Sequence, residues 1–296
     1  MSERAQYSFP KETREFISDL LDGSQLEIYP GKNILEKIPF LDKNKVVTVT
    51  SSAEAGIEPT ISLSESLSDL GFKVKPHLAA GNIEKTEFES LLGRLKRAEV
   101  TRIVAIGGDN ERLSSRFDST VEMLGKMIDL GFIPQEIDFA GYPQGHNIIP
   151  IETLDSVLLQ KQEFADKFPN IKMRIITQTC LDETDFQNWA HRIKNMGIKM
   201  PIVFGFPGPI TIEAMRSFLV NCALKDALKI YERFIANSSL IDVIKGRIAP
   251  EKLIEKVFRE LPQKEIVTGF HIFTLNNLKK TFDFINEAKE TLTDPQ

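Results

Sequence analysis

Short apolar segments alternate with helical patterns along the chain, and this alternation restricts the fold more than any other feature. Eight segments of strand length are rich in Val and Ile, as strands buried on both faces should be. They are residues 26–29, 46–50, 74–78, 103–106, 137–140, 173–177, 202–204 and 266–273. Strand followed by helix, repeated, has two common solutions, an open doubly wound sheet and a closed (β/α)8 barrel. Eight strands in 296 residues favour the barrel, which typically takes about 250 residues.

The segments between the predicted strands carry helical periodicity, with apolar residues on one face and Lys and Glu on the other. Clear examples are the set Phe88, Leu91, Leu92 and Leu95 and the set Phe186, Trp189, Ile193 and Met196. Gly197 is well placed as a C-terminal cap of the second set. Further helices are predicted at 11–21, 61–70 and 121–130, and a long connection between strands seven and eight holds helical patterns at 211–220, 225–235 and 250–260.

Composition and charge narrow the class of protein. Apolar residues make up 42% of the chain, no linker-like stretch divides it, and one barrel domain over residues 1–296 is predicted. The net charge is −5, with acidic and basic residues interspersed, which argues against a nucleic-acid or membrane partner. Two isolated cysteines, Cys180 and Cys222, give no disulfide framework. Without an apolar signal core or a long apolar run, a cytoplasmic location is expected.

Polar residues follow the predicted strands in an ordered way, and the carboxyl ends of barrel strands are where active sites lie. They are Glu27, Thr50, His77, Asp109 (after Gly107 and Gly108), Tyr142, His146, Gln178 and His271. Several have a structural alternative: Glu27 as a surface acid, His77 as a partner of a buried carbonyl, Asp109 as a cap of the following loop or helix, Tyr142 as a core residue and Gln178 as a turn residue. The convergence of so many polar groups on one end of a barrel favours a functional site there.

The stretch Gly107-Gly108-Asp109 ends the fourth predicted strand and is not an ordinary phosphate loop. It lacks the G-x-G-x-x-G spacing and the Walker lysine. Two residues without Cβ atoms instead allow the backbone to approach a flat ligand closely, and Asp109 adds a carboxylate. The sequence has no H-E-x-x-H motif, no cluster of His and Cys ligands and no G-x-S-x-G elbow, so neither a metal site nor a serine nucleophile is predicted.

Taken in order, the strand-end motifs resemble those of methylenetetrahydrofolate reductases, which are (β/α)8 barrels. The resemblance runs from about residue 25 to 278. Its motifs are Leu-Glu-Ile-Tyr-Pro, Val-Thr-Val-Thr, Pro-His-Leu, Gly-Asp, Gly-Tyr-Pro-Gln-Gly-His, Ile-Thr-Gln with Asp182 following, and Gly-Phe-His-Ile-Phe-Thr-Leu-Asn. Each motif is short, and seven in the correct order make the similarity fairly specific.

The resemblance implies hydride transfer from NADH or NADPH, usually through FAD, to 5,10-methylenetetrahydrofolate in one-carbon metabolism and methionine biosynthesis. By position, Glu27 matches the acid that opens the imidazolidine ring, Asp109 the carboxylate beside pterin and flavin, and Gln178 the amide that orients the pterin. Positions matching the flavin site are Thr50, His77, Gly107, Gly108, Asp109, Tyr142, His146 and Asp155, with Lys161 beside the diphosphate. Phe206 and Phe273 are candidates for stacking on the folate, with core packing an equal alternative.

The chain departs from the family pattern on the side of the FAD diphosphate. Many members carry Arg where this chain has Gly107, and the family's diphosphate lysine falls on Gln162, with Lys161 one residue early. The loss of charge-assisted contacts, each about 1.5–3 kcal/mol, predicts weak FAD binding or direct hydride transfer from nicotinamide to folate.

Other functions remain open at the level of sequence. A barrel methyltransferase using 5-methyltetrahydrofolate would need a corrinoid or thiol acceptor, and a non-catalytic folate-binding subunit would have no need of Glu27. The residues do not set the direction of the reaction, the choice between NADH and NADPH, or whether the chain forms a homo-oligomer. Tetrahydrofolate derivatives are the partners that the resemblance implies.

Overall fold

The eight predicted strands form one closed, all-parallel barrel in a computed structural model of the chain. The structure describes residues 10–52, 54–108, 113–221, 224–237, 247–248, 253–254, 257–258 and 266–293. The barrel strands are β1 (Gln25–Ile28), β2 (Val46–Val49), β3 (Lys73–Ala79), β4 (Arg102–Ile106), β5 (Glu136–Gly141), β6 (Lys172–Thr177), β7 (Ile202–Pro207) and β10 (Val267–Phe273). They follow one another around the barrel, and β10 pairs with β1 to close it. The predicted (β/α)8 barrel is confirmed.

Helices connect and surround the strands. They are α1 (Lys11–Asp22), α2 (Ile34–Lys37), α3 (Glu58–Asp69), α4 (Phe88–Arg97), α5 (Thr120–Asp129), α6 (Ile151–Lys167), α7 (Glu183–Asn195), α8 (Ile212–Asn221), α9 (Ala227–Asn237) and α10 (Leu278–Thr293). Short 3-10 turns occupy Ile38–Phe40 and Ala80–Asn82, and a separate antiparallel ribbon joins β8 (Ile210–Thr211) to β9 (Arg247–Ile248). The helix predicted at 250–260 lies largely outside the described residues.

The helix periodicity read from the sequence corresponds to the buried faces. In α4 the buried residues are Phe88, Leu91, Leu92 and Leu95. In α7, Phe186, Trp189 and Ile193 are buried, and the helix is followed by Gly197 with φ +88°. That left-handed conformation strains residues with a Cβ atom, so glycine suits this end of the helix.

Successive side chains along each strand point alternately into the barrel and outward to the layer between the sheet and the helices. On β7, Phe204 and Phe206 face outward and are fully buried in the aromatic core, together with Phe270 of β10. Burial of one such side chain contributes about 1.5–3 kcal/mol to stability. The main hydrophobic core therefore lies outside the barrel wall, which leaves the interior available for polar residues.

Both ends of the described chain pack on the barrel. Helix α1 contacts α10 and β10. At the end of α1, the Lys45 ammonium donates to the carbonyls of Leu21 (2.6 Å) and Asp22 (2.5 Å), and the Ser24 hydroxyl also donates to the Leu21 carbonyl at 2.7 Å. In the described part of the chain, no helix has the length and apolar character needed to cross a membrane.

Candidate active site inside the barrel

Glu27 lies on β1 and points into the barrel. Its neighbours Leu26 and Ile28 belong to the outer hydrophobic core, so the two-residue period of the strand turns Glu27 inward. The side chain reaches residues of β10 and β3, across the interior. The carboxyl group of Glu27, which the sequence placed at a strand end, is thus mostly enclosed, with the side chain 15% exposed.

Two histidines meet the same oxygen of Glu27. His271 Nε2 lies 3.0 Å from Oε2, within hydrogen-bond distance. His77 Nε2 lies 3.6 Å from that oxygen, too far for a hydrogen bond. His271 is almost completely buried. In the part of the chain that the structure describes, neither Nδ1 of His271 nor Nε2 of His77 has a hydrogen-bond partner. His271 belongs to one of the strand motifs, but the sequence does not predict a role for it, because only barrel closure places it beside Glu27.

The segment after β10 holds the end of β1 in place. The Thr274 hydroxyl donates to the backbone carbonyl of Glu27 at 2.5 Å. The Asn276 side chain accepts from the Tyr29 amide at 3.1 Å and donates to its carbonyl at 2.9 Å. The Thr-Leu-Asn sequence that follows β10 therefore fixes the backbone at Glu27 and at Tyr29, two residues later, a role that its residue types alone did not reveal.

A layer of paired charges fills the barrel below Glu27. Lys75 Nζ donates to Gln25 Oε1 (2.7 Å), Glu136 Oε1 (2.8 Å) and Asp138 Oδ2 (2.5 Å). Arg174 Nε donates to Asp138 Oδ1 at 2.9 Å, and a second guanidinium nitrogen donates to Gln25 at 2.9 Å and contacts Glu136. Lys75 and Asp138 are fully buried. We call these five residues the ionic layer; sequence reasoning did not predict it.

Burial and charge set the protonation of these groups. Burial lowers the pKa of His77 to about 4, and the nearby carboxyl group of Glu27 opposes this shift only in part. His77 is therefore neutral near pH 7. Burial by itself would raise the pKa of Asp138, but Lys75 and Arg174 outweigh it and hold that pKa well below its usual range. Asp138 is therefore an ionised, fully paired carboxylate.

The two glycines after β4 have different surroundings. A Cβ atom added to Gly107 would have no neighbour within 4 Å among the described residues. Gly108 has φ +90°, and a Cβ atom there would lie 3.1–3.2 Å from Asn82 and Gly81. Packing against the loop after β3 therefore accounts for Gly108, whereas the described residues leave the space beside Gly107 open. Asp109, the carboxylate predicted to contact pterin and flavin, lies outside the described residues.

Strands β5 and β6 bring Tyr142 and Gln178 to the same edge. Gly141 and Thr177 are register partners. The backbone N–H group of Gln178 donates to the Gly141 carbonyl at 2.8 Å. Tyr142 makes an edge-to-face contact with His146, with ring centroids 5.2 Å apart. His146 Nδ1 accepts from the amides of residues 148 and 149 at 3.2 Å, so this ring also shapes the loop after β5. Thr50 directly follows β2, and its amide donates to the Ile28 carbonyl at 2.9 Å.

The two phenylalanines proposed for folate stacking have different environments. Phe206 is fully buried in the outer core, which is the packing alternative left open by the sequence. Phe273 has the inward parity of His271, and its ring centroid lies 4.6 Å from that of His271. Phe218 of α8 lies 5.6 Å from Phe273 and was not predicted. Phe273 is thus the phenylalanine next to Glu27 and its histidine partner.

The residues proposed for the diphosphate side are engaged in protein contacts. The Asp155 carboxylate pairs with Arg192 of α7 at 2.7 Å. Lys161 is buried, contacts the Ala140 carbonyl (3.2 Å) and lies over the Phe139 ring; burial lowers its pKa to about 8. Gln162 accepts from the amides of residues 199 and 200. The side chains that these three positions supply are thus used to join α6 to its surroundings.

The structure therefore brings part of the predicted set together. Glu27 and His77 meet inside the barrel, joined by His271, whereas Asp155 and Lys161 lie on the helix side of β5 and β6. Among the described residues there is no group of three or more His, Cys, Asp or Glu side chains that could hold a metal ion. The chemistry available in the barrel is that of a carboxyl group between two imidazoles.

Comparisons with known proteins relate the chain to methylenetetrahydrofolate reductases. The chain is 26% identical over 222 residues to methylenetetrahydrofolate reductase 2 of Saccharomyces cerevisiae, covering 70% of this chain and 35% of the relative. It is 28% identical over 154 residues to methylenetetrahydrofolate reductase 1 of Schizosaccharomyces pombe, covering 51% of this chain and 24% of the relative. The chain thus spans about a third or less of these relatives.

A solved structure shares the fold, with a TM-score of 0.59 at 18% identity, over 95% of this chain and 99% of the other. It is an uncharacterized protein from Clostridium thermocellum that binds two copies of 5-methyl-5,6,7,8-tetrahydrofolic acid. The methylenetetrahydrofolate reductase family model matches residues 30–289, beginning three residues after Glu27. Glu27 thus lies outside the matched residues. The match covers most of the chain, which belongs to the methylenetetrahydrofolate reductase family.

Proposed function

We propose that the protein interconverts 5,10-methylenetetrahydrofolate and 5-methyltetrahydrofolate, with NADH or NADPH as hydride donor in the reducing direction. The observation that carries the proposal is the carboxyl group of Glu27 inside the barrel, next to His271 and His77. A folate-binding scaffold has no need of an acid there, whereas opening of the methylene bridge requires a proton donor.

Glu27 supplies that proton. In the reducing direction the O–H bond of its carboxyl group breaks and an N–H bond forms on N10 of the folate as the C–N10 bond opens. The resulting N5 iminium accepts a hydride at the methylene carbon, which becomes the methyl group. The reduced nicotinamide loses two electrons and becomes the oxidised form. In the reverse direction the Glu27 carboxylate accepts the proton.

The pterin is held at the carboxyl ends of the strands in this proposal. An amide can both donate and accept, so Gln178 suits the mixed donor and acceptor edge of a pterin. Asp109 is proposed as the carboxylate that accepts from pterin N–H groups. Phe273, beside His271, is the phenylalanine placed to contact the folate near Glu27, and Phe206 is proposed as its outer support because it packs behind the barrel wall.

FAD fits the described residues only in part. The open space beside Gly107 suits a flat ring. The diphosphate side fits poorly, because Asp155 is paired, Lys161 is enclosed and Gln162 holds two backbone amides. We therefore propose that FAD is held weakly. The remaining candidate contacts to FAD are Thr50, His77, Tyr142 and His146. A bound flavin would supply hydride relay between nicotinamide and folate.

The test begins with the purified protein. Its absorbance spectrum reports retained flavin, and oxidation of NADH and NADPH is followed with 5,10-methylenetetrahydrofolate, with and without added FAD. Binding of 5-methyltetrahydrofolate is measured by calorimetry. We expect folate-dependent nicotinamide oxidation. Binding of the folate without any such oxidation would contradict the proposed activity and favour a methyltransferase or a binding subunit.

A further inference from the structure

The surroundings of the Glu27 carboxyl group are asymmetric. Both histidines approach Oε2, with His271 Nε2 at 3.0 Å and His77 Nε2 at 3.6 Å. The other oxygen, Oε1, forms no hydrogen bond with the described residues. A carboxylic acid carries its proton on one oxygen and can accept a hydrogen bond on the other. The two oxygens of Glu27 are therefore suited to different tasks.

The burial of His271 restricts its own protonation. Nδ1 is buried and has no hydrogen-bond partner, so a proton on it would leave a buried N–H group unsatisfied. An imidazolium would always have that defect, and so would the neutral tautomer protonated on Nδ1. The remaining tautomer carries its proton on Nε2, the nitrogen that faces Glu27. In this form His271 can donate to Oε2 both before and after Glu27 has given up its own proton.

Among the described residues, no Lys or Arg side chain pairs with Glu27, and no second carboxylate pairs with His271. Of the charged residues below, Lys75 and Asp138 bond to each other and to the rest of the ionic layer. On the opposite side, the low pKa of His77 keeps that ring neutral near pH 7. Phe273 covers the His271 ring from the edge at 4.6 Å between centroids. His271 is therefore the group within the described residues whose hydrogen bond responds most directly to the charge on Glu27.

We propose that His271 is a positioning residue for the acid, which donates from Nε2 to Oε2 of Glu27. It thereby keeps the transferable proton on Oε1 and stabilises the carboxylate that remains once this proton has moved to the folate nitrogen. The inference rests on the proposed function, since it concerns the same acid. It assigns a task to a residue for which family resemblance and strand-end pattern gave none.

A variant series tests the hydrogen bond. His271→Leu removes the donor, whereas His271→Gln retains an N–H group near the position of Nε2. In His271→Leu we expect kcat with folate to fall about 10- to 100-fold, the usual value of a hydrogen bond to a charged group. The dissociation constant of 5-methyltetrahydrofolate should change less than about threefold, and His271→Gln should recover most of the loss.

The pH profile separates positioning from packing. A proton is transferred to the folate in the reducing direction, so we expect kcat to fall as the pH rises. Without the donor, the carboxylate that remains after proton transfer is less stable, and the midpoint of this falling limb should lie at higher pH in His271→Leu than in the wild type. An unchanged midpoint with reduced kcat would overturn the proposal and leave His271 as a packing residue. If the Leu variant does not fold, His271→Asn, whose amide is one bond too short, takes its place.

Nitrogen NMR of the histidine rings tests the tautomer without any turnover. In protein labelled with 15N-histidine, the signals that disappear in His271→Gln belong to His271. We expect Nε2 to carry the proton and Nδ1 to be bare, and a proton on Nδ1 would overturn the proposal. Glu27→Gln is assayed in parallel. If Glu27→Gln keeps full folate turnover, the acid of the proposed function is wrong. If Glu27→Gln is inactive with folate but His271→Leu turns over folate like the wild type, only the present inference is contradicted.

Discussion

The barrel interior contains two polar layers that differ in how completely they are paired. In the lower, ionic layer, Lys75 and Arg174 meet Asp138, Glu136 and Gln25 through hydrogen bonds of 2.5–2.9 Å. In the upper layer, formed by Glu27, His77 and His271, the Glu27 carboxyl group has one hydrogen-bond partner among the described residues, and His77 Nε2 and His271 Nδ1 have none there.

The difference indicates separate tasks. Buried charges are tolerated when every one is paired, as in the lower layer. This layer therefore has a structural task beneath Glu27. Buried polar atoms without partners are costly, and proteins retain them where function requires it. We therefore expect substitutions in the lower layer to affect stability and those in the upper layer to affect chemistry.

The largest effect is expected for Glu27→Gln. Glutamine has a similar shape but cannot donate a carboxylic proton, so turnover with 5,10-methylenetetrahydrofolate should fall about 10²- to 10⁴-fold. Thermal unfolding and binding of 5-methyltetrahydrofolate should stay near wild type. If flavin is bound, transfer of hydride from nicotinamide to a quinone should survive, because it needs no such proton. Parallel loss of both activities would mean that Glu27 supports the fold or the cofactor site.

The ionic layer should give the opposite result. Asp138→Asn removes one charge and leaves Lys75 and Arg174 short of an anion, which should lower the free energy of unfolding by about 3–5 kcal/mol. Arg102→Ala is the matched control, since Arg102 lies at the rim, 3.7 Å from Glu136 and 31% exposed. Its cost should be about 0–1 kcal/mol. Urea unfolding measures both, and an equal cost for the two variants would contradict the distinction.

The pH dependence of stability tests the upper layer. The folded pKa of His77 is about 4, against 6.5 in the unfolded chain, so between these values the unfolded state binds a proton that the folded state does not. Stability should therefore be complete above pH 6.5 and fall as the pH drops towards 4, by up to roughly 3 kcal/mol. Groups facing His77 are Glu27, His271, Lys75 and Asp138.

Urea unfolding of wild type and His77→Gln at pH 5, 6 and 7 isolates this contribution. The variant lacks the titrating ring, so its stability should vary less over this range than that of the wild type. Identical slopes for the two proteins would show that His77 does not carry the effect.

The smallest effect concerns the mouth of the barrel above the upper layer. Gly107→Arg restores a cation where the described structure has open space, and we expect FAD binding to tighten about tenfold, or 1.4 kcal/mol. Gly107→Gln adds a similar length without charge and should leave the dissociation constant nearly unchanged. Equilibrium dialysis measures both. Tight FAD binding in the wild type that neither variant alters would contradict the predicted weakness of the diphosphate side.

Much of the framework was predictable from the sequence because it depends on local periodicity. Val- and Ile-rich segments with turn residues between them gave the eight strands, and the helix faces followed from 3.6-residue spacing. The polar strand ends led to Glu27 and His77, which do meet. Helix α6 was not singled out, and residues 109–112, which include Asp109, lie outside the described residues.

The parts of the site that were not predicted depend on direction and distance. Lys161 reads as a cation near a diphosphate, yet its side chain turns towards Phe139 and Ala140. Phe206 and Phe273 are both aromatic residues at strand ends, but their opposite parity places one in the outer core and the other beside His271. A strand pattern defines two faces, and it does not say which of them lies inside a barrel.

By itself, the sequence determined the number and order of the strands, the single barrel and the end at which polar residues collect, because these follow from patterns within a few residues. The tertiary structure alone decided which atoms meet. Glu27 and His271 are 244 positions apart, and their 3.0 Å contact exists because β10 pairs with β1. The ionic layer likewise joins side chains from β1, β3, β5 and β6. Closure of the barrel brings these distant groups into one interior, where burial and neighbouring charges set their protonation.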